Sequence, residues 1–295
     1  MPYEDIAFFF VLKCRILDMM HSICRGLLTA RPRLKKKLIF RELNDNQLTD
    51  HIPPELGRLT DWFDLNIAGN YLQGPIPDNI SSCTNLNSLN LHGNKLNGTI
   101  PAALQRLESM TYLNLLSNNL RGPIPVELSR IGNLDTLDIS DNKISGSIPS
   151  SLGDLEHLLK LNLSMNHITG FIPAEFGNLR SVVEIDLSNN QLSGPIPQEL
   201  GQLQNLFSLN VSYNHLSGDI PTSNNFSRFP PDSFIGNPDL CGYWRGSSSH
   251  KSHPVERVGI FYANVVRTSQ AALIRKYIFF CLASFPVYFD FQGNE

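Results

Sequence analysis

The sequence is poor in the features that mark a metal site, a nucleic-acid-binding surface or a membrane span. Its five cysteines stand singly, and no Cys-x-x-Cys pair or Cys/His cluster has metal-site spacing. His250 and His253 are three residues apart but have no further ligands nearby. The formal net charge of −3 gives no basic footprint for nucleic acid. The longest apolar run, 277–289, is shorter than the roughly 20 residues that a membrane span needs. We therefore expect no metal, cofactor or nucleic-acid partner.

A 24-residue repeat is the dominant feature of the sequence. The stretch LNLSMNHITGFIP (161–173) returns as LDISDNKISGSIP (137–149) and as IDLSNNQLSGPIP (185–197). One asparagine recurs in strict register at Asn46, Asn70, Asn94, Asn118, Asn142, Asn166, Asn190 and Asn214. An Ile-Pro pair follows each of them six residues later. A period in the twenties with L-x-L-x-x-N-x-L is typical of a leucine-rich-repeat solenoid.

The chemistry of the repeat predicts the shape of each coil. Alternation in x-L-x-L-x predicts a short strand with leucines inside, and stacked coils would align these strands in a parallel sheet on the concave side. The recurring asparagine is expected to turn inward and to bind backbone groups that water cannot reach. A following glycine permits backbone angles that a Cβ would forbid, and Ile-Pro forces an extended segment. We predict an α/β solenoid, a right-handed coil with 3₁₀ or short helices on the convex face.

The repeat divides the chain into four segments. Residues 1–40 do not match it, and their apolar run, 6–12, fits a secretory signal poorly because Glu4 and Asp5 precede it and Lys13 and Arg15 cut it. We expect eight repeats over 41–223, a remnant of a carboxy-terminal cap over 224–244 with aromatic residues that cover the last coil, and a divergent tail over 245–295.

Recognition is expected at the strand positions that the coil does not need, because these face solvent. Within them the acids Asp64, Asp138, Asp141, Glu184 and Asp186 outnumber one base, Lys160, which predicts a mildly acidic face that favours a basic partner. Larger side chains are the better anchors. The candidate ligand-binding residues are Tyr112, Asn114, Leu116, Asp138, Lys160, Met165, Glu184, Asp186 and Tyr213. Paired carboxylates on such an open surface do not predict an enzyme.

Five Asn-x-Ser/Thr sequons are candidate glycan acceptors if the chain is secreted: Asn79, Asn97, Asn162, Asn210 and Asn225. Glycans on Asn162 and Asn210 would block part of the concave face.

The amino-acid sequence of the repeats resembles that of a known family. The G-x-I-P form of the repeat and the closing SFIGNPDLCG are similar to the ectodomains of plant leucine-rich-repeat receptor-like kinases. Stretches such as SSCTNLNSLNLHGNKLNGTIP and NNFSRFPPDSFIGNPDLCG look like the carboxy-terminal ectodomain repeats of the ERECTA family. The resemblance covers about 41–244.

That resemblance implies a plasma-membrane or extracellular protein. It implies recognition of secreted cysteine-rich peptides, together with a leucine-rich-repeat co-receptor, in stomatal patterning and organ growth. The sequence departs from the family in having no partner for Cys241, no convincing signal peptide or membrane helix, and none of the kinase motifs G-x-G-x-x-G, V-A-I-K, H-R-D or D-F-G. We therefore expect membrane association only by analogy, and no enzymatic activity.

Two other interpretations remain open from the sequence. A secreted plant repeat protein that inhibits a wall-degrading enzyme would share this coil. A truncated, non-functional gene product would also explain the unmatched ends. The ERECTA-like sequence of the repeats favours the receptor interpretation over the inhibitor interpretation.

Overall fold

The computed structural model describes residues 43–222, 225–242 and 253–254. The predictions for residues 1–40, for the His250/His253 pair as a whole and for the apolar run 277–289 lie outside these residues.

One three-residue strand in each repeat builds a seven-stranded parallel sheet, as the alternating leucines predict. Its order follows the chain without crossovers, and each strand pairs with the next at a register of 24 residues, as in Leu113 opposite Leu137. The central leucine or isoleucine of every strand is buried in one continuous core. The strands are β1 (Asp64–Asn66), β3 (Ser88–Asn90), β5 (Tyr112–Asn114), β7 (Thr136–Asp138), β9 (Lys160–Asn162), β11 (Glu184–Asp186) and β13 (Ser208–Asn210).

A second set of strands lies on the flank of the coils, directly after the recurring asparagines, which we call the column asparagines. The strands are β2 (Gln73–Gly74), β4 (Lys95–Leu96), β6 (Arg121–Gly122), β8 (Lys143–Ser147), β10 (His167–Gly170), β12 (Gln191–Gly194), β14 (His215–Asp219), β15 (Asp239–Gly242) and β16 (His253–Pro254). The first two strands, β2 and β4, form a parallel sheet of their own, and β6, β8, β10, β12, β14 and β15 pair in parallel from one coil to the next. Among the described strands only β15 and β16 pair antiparallel.

Short 3₁₀ helices cover the convex side. In the first seven Ile-Pro pairs the proline is extended, with φ of −64° and ψ of 130° at Pro125, and a helix begins at the next residue. Proline fixes φ, and the coil therefore changes direction at the same point in each of these repeats. The helices are η1 (Pro54–Arg58), η2 (Asp78–Ser82), η3 (Ala102–Arg106), η4 (Val126–Arg130), η5 (Ser150–Asp154), η6 (Ala174–Asn178), η7 (Gln198–Gln202), η8 (Phe226–Arg228) and η9 (Pro231–Ser233).

The predicted column of inward asparagines is present. Asn142 is typical: its Oδ1 accepts the Leu120 N–H of the preceding coil at 2.9 Å, and its Nδ2 donates to the carbonyl of Leu115 in that coil at 3.0 Å and to that of Ser140 in its own coil at 3.0 Å. The same pattern recurs from Asn70 to Asn214. Half-buried Asn46 makes the bond within its own coil, to the Asn44 carbonyl at 2.9 Å.

The coil continues past the eighth repeat. Asn237 is fully buried and repeats the column pattern, because its Oδ1 accepts the Leu216 N–H at 3.0 Å and its Nδ2 donates to the Val211 carbonyl at 3.0 Å. Strand β15 pairs with β14 in parallel. As expected, Phe226, Phe229 and Phe234 are buried over the last coil, and the rings of Phe226 and Phe229 meet edge to face at 5.8 Å.

The two cysteines among the described residues are free thiols. Cys83 is buried, its Sγ donates to the Leu56 carbonyl at 3.4 Å, and burial raises the pKa of its thiol. It therefore acts as a small core residue and not as a reactive thiol. None of the described helices has the length and apolar character to cross a membrane.

Candidate ligand-binding surface

The first residue of each concave strand forms an accessible row across the sheet. Tyr112, Lys160 and Glu184 are half-buried members of this row, so each presents part of its side chain to solvent. Lys160 Nζ lies 3.3 Å from Glu184 Oε1, and the two side chains are 39% and 40% exposed. An ion pair this exposed stabilises the fold by about 0–1 kcal/mol. Its groups therefore remain available to a partner.

The third residue of each concave strand, which lies on the same face as the first, does not face solvent as freely as predicted. Asp138 and Asn114 are buried, and the expectation that they are open to a ligand is therefore wrong. The physical reason is a turn in which the side chain accepts the N–H of the residue two positions later. Asp138 Oδ1 accepts both the N–H and the hydroxyl of Ser140, and Asn114 Oδ1 accepts the Leu116 N–H at 3.0 Å.

The same turn holds Asp186 and joins neighbouring coils. Asp186 Oδ1 accepts the Ser188 N–H at 2.9 Å, while Asn210 Nδ2 donates to Asp186 Oδ2 at 3.3 Å. Asn162 Nδ2 donates to Asp138 Oδ2 in the same way, also at 3.3 Å. Asp186 is half-buried and keeps partial access to solvent. The acidic character of the face is therefore weaker at the surface than the sequence count indicates.

Strand β5 brings three candidate residues together. Asn114 Nδ2 donates to the Tyr112 hydroxyl at 2.9 Å, which holds the ring along the strand. Leu116 follows on the same face and is half-buried. Tyr112 and Leu116 thus form a small amphipathic patch two coils from Lys160.

Met165 and Tyr213 lie at the rim of the sheet, where the chain leaves the strand. Their side chains are 54% and 46% exposed. Both have φ of 54°, but Ser117 and Asp141 adopt nearly the same angle at the same place in their repeats, so the left-handed conformation belongs to the turn of the coil. Tyr213 lies over Gly236, where an added Cβ would meet the ring at 2.6 Å. Met165 and Tyr213 are two coils apart, about 10 Å at the usual strand spacing.

An exposed apolar column, which the sequence analysis did not single out, borders the accessible row. Leu159, Val183 and Phe207 each come directly before a concave strand, and they are 46%, 42% and 85% exposed. Backbone bonds stack them, since the Val183 N–H donates to the Leu159 carbonyl at 2.8 Å and the Phe207 N–H to the Val183 carbonyl at 2.9 Å.

The three coils directly before these carry polar residues at the position of the apolar column, namely Asn87, Thr111 and Asp135, whereas the coil before them carries the exposed Phe63. The polar residues are joined to neighbouring coils by hydrogen bonds, such as Thr111 Oγ1 to Asn87 Oδ1 at 3.1 Å. The change from polar to apolar in three consecutive coils is the signal that could have revealed the column.

The five sequons differ in how their amides are used. Asn79 and Asn97 are exposed. Asn162 and Asn210 each donate one bond to an aspartate of the preceding coil, as described above. Asn225 Nδ2 donates two bonds, to the carbonyls of Gly201 at 3.0 Å and Leu203 at 2.9 Å.

Comparison with known families places this surface in a recognised class. The family described as "Leucine-rich repeat region" matches residues 73–224, about half of the chain. The chain belongs to this leucine-rich-repeat family.

Curated relatives of the matched stretches are receptor-like kinases of the ERECTA type. The chain is 56% identical over 65 residues to the LRR receptor-like serine/threonine-protein kinase ER2 of Oryza sativa subsp. japonica, a match that covers 22% of this chain and 7% of the relative. It is 64% identical over 52 residues to the LRR receptor-like serine/threonine-protein kinase ERECTA of Arabidopsis thaliana, which covers 18% of this chain and 5% of the relative. The matches thus span a small part of these relatives' length.

Plant receptor ectodomains are among the solved structures with this fold. The LRR ectodomain of the membrane receptor kinase GASSHO1/SCHENGEN3 from Arabidopsis thaliana, in complex with CASPARIAN STRIP INTEGRITY FACTOR 2, is 40% identical with a TM-score of 0.66, covering 68% of this chain and 24% of that one. The Arabidopsis receptor kinase HAESA, in complex with the peptide hormone IDA and the co-receptor SERK1, is 36% identical with a TM-score of 0.65, covering 72% of this chain and 35% of that one. The chain therefore has the fold of a peptide-hormone receptor ectodomain.

Proposed function

We propose that the coils of this chain form the ligand-recognition surface of an ERECTA-type receptor, which binds a secreted cysteine-rich peptide together with a leucine-rich-repeat co-receptor. The proposal places the surface outside the cell at the plasma membrane, in signalling that controls stomatal patterning and organ growth. The relatives' names and the ectodomain structures support this assignment.

The proposal rests on the exposed apolar column and on the charged members of the accessible row beside it. Leu159, Val183 and Phe207 present apolar surface that no coil needs for its own packing. Lys160 and Glu184 lie next to them in the chain and on the adjacent strands β9 and β11. Apolar anchors next to charged groups are the usual composition of a binding site for a protein or peptide.

The two partners would use different parts of the surface. A peptide with basic side chains fits the outward face of β11, which carries Glu184 and Asp186, with Met165 and Tyr213 as apolar anchors at the rim. The co-receptor would contact the apolar column of Leu159, Val183 and Phe207.

Binding measurements on a panel of secreted cysteine-rich patterning peptides, with and without co-receptor ectodomain, test this proposal. We expect the triple variant Leu159→Ser, Val183→Ser, Phe207→Ser to weaken assembly of the ternary complex at least about tenfold, which corresponds to 1.4 kcal/mol. Phe171→Ser is the matched control, since Phe171 is 66% exposed but lies after the flank strand β10.

Three outcomes would contradict the proposal. The wild-type chain could bind none of the peptides, it could bind a polygalacturonase instead, or the triple variant could assemble as well as Phe171→Ser. Thermal unfolding of all variants would show whether a lost signal reflects a lost fold.

A further inference from the structure

The flank strands β4, β6, β8, β10, β12 and β14 present a row of basic side chains to solvent, with β6 to β14 in one parallel sheet and β4 paired with β2. On the flank of each coil one residue is buried in the core and its neighbours point outward, as for Lys143, Ile144 and Ser145. Lys95, Arg121, Lys143, His167 and His215 are all exposed on this outer face. At about 4.8 Å per strand, Lys95 and His215 lie about 24 Å apart across five strand steps. We call these five residues the basic flank.

The charges of the basic flank are not neutralised by neighbours. No described residue forms an ion pair with Lys95, Arg121 or Lys143, although Lys95 Nζ lies 5.0 Å from the centroid of the Tyr71 ring. The other outward side chains of these strands are asparagine, glutamine, serine and threonine until Asp219 ends the row. Asp141, at the border next to Lys143, accepts a hydrogen bond from the Ser117 hydroxyl at 2.6 Å.

Acidic residues bound the basic flank at both ends. Asp50 lies two coils before Lys95 and is paired with His51 at 2.6 Å, and the exposed Asp219 and Asp239 follow the basic flank. The positive side chains therefore form a narrow strip along the stacked coils, on a chain whose net charge is −3. Such a strip selects for a narrow, extended anion over a broad one.

We propose that the basic flank binds a linear acidic polysaccharide that lies across the strands. An extended polymer with a carboxylate on successive sugars can meet a cation in one coil after another. The amide and hydroxyl side chains between the cations can donate to and accept from sugar hydroxyls. This site is independent of the proposed peptide surface, since the basic flank follows the column asparagines and the peptide surface precedes them.

The composition of the flank favours a polysaccharide over a protein or a nucleic acid. Protein-binding surfaces are anchored by aromatic residues, and single-stranded nucleic acid needs aromatic platforms on which bases stack. The flank strands from β6 to β14 contain no phenylalanine, tyrosine or tryptophan, and an exposed ring beside them, that of Phe171, follows β10. Charge and hydrogen bonding are therefore the main features of these strands.

Binding of the full-length chain to polygalacturonate, followed at low and at physiological salt, tests the inference. We expect binding that weakens as salt rises, because the ions screen exposed charges. The double variant Arg121→Gln, Lys143→Gln should bind about tenfold more weakly. Lys160→Gln is the matched control, since it removes one positive charge from the concave sheet and should leave polygalacturonate binding unchanged. Fully methyl-esterified polygalacturonate, which lacks the charges, should not bind.

The inference fails if the double variant binds polygalacturonate as tightly as Lys160→Gln does. That result would assign any binding to other basic residues, such as the run RPRLKKK at 31–37. It also fails if the wild-type chain does not bind polygalacturonate at low salt, or if single-stranded DNA binds as tightly and loses as much affinity in the double variant. Because the peptide surface lies elsewhere, none of these results would alter the test of the proposed function.

Discussion

At the scale of single residues, the amide of the column asparagine joins each coil to its neighbour. Asn142 satisfies the Leu120 N–H and the Leu115 carbonyl, both of which belong to the preceding coil and are out of reach of water. Only asparagine and glutamine carry an amide with one acceptor oxygen and two donor hydrogens, and asparagine is the smaller of the two. The column therefore supplies polar contacts that leucine packing alone cannot.

Asn142→Ala should lower the free energy of unfolding by about 1–3 kcal/mol, because it leaves the buried Leu120 N–H without a partner. The midpoint of urea unfolding measures the change. Asn119→Ala is the control. Asn119 is exposed on the flank, at the repeat position of Lys95 and Lys143, and its loss should shift the midpoint little. Equal effects of the two substitutions would show that the column does not stabilise the coil.

At the scale of the elements, the last coil replaces leucine by aromatic packing. Phe234 is 1% exposed and lies over the end of the core with Phe226. Strand β15 follows Phe234 in the same coil and pairs with β14.

Phe234→Ala should destabilise the chain by about 3–5 kcal/mol, as expected for a large side chain removed from a core. Phe207→Ala, which truncates the same side chain at a position 85% exposed, should change stability by less than about 0.5 kcal/mol. Thermal unfolding followed by circular dichroism compares them. A similar loss in both variants would mean that the aromatic layer is not part of the core.

The coil, its strands and its 3₁₀ turns were predictable because they recur with a fixed period. Asn237 was missed because it lies 23 residues after Asn214 instead of 24, and the residues before it lack L-x-L. The burial of Asp138 was missed because alternation gives the face of a side chain but not whether it folds back onto Ser140. Leu159, Val183 and Phe207 were missed because they precede the strand positions that were considered.

At the scale of the whole molecule, the two sheets differ in charge. The concave sheet pairs its single lysine, Lys160, with Glu184 and keeps Asp186 partly open. On the flank, Lys95, Arg121 and Lys143 form no ion pair with any residue that the structure describes. Two partners of opposite charge could therefore be held at the same time without competing.

Glycan attachment should depend on how many hydrogen bonds the side-chain amide of each sequon asparagine donates in the folded protein. A glycosylated asparagine keeps only one hydrogen on Nδ2, but Asn225 donates two bonds. If the chain is secreted with an added signal sequence, the folded fraction should carry glycans on Asn79 and Asn97 and an unmodified Asn225. Peptide mass spectrometry after enzymatic release in heavy-oxygen water reads each site. Full occupancy of Asn225 in folded protein would contradict this expectation.

The register of 24 residues has a consequence for how such a chain can vary. Thr136 and Leu161 occupy successive positions of the repeat, and the polar contacts between coils join only neighbours. Excision of 137–160 would therefore bring Leu161 to the place of Leu137 and leave every remaining coil with a compatible neighbour. Recombination between coils can lengthen or shorten this protein in whole units, so that the number of coils can drift over evolution while the architecture is inherited unchanged.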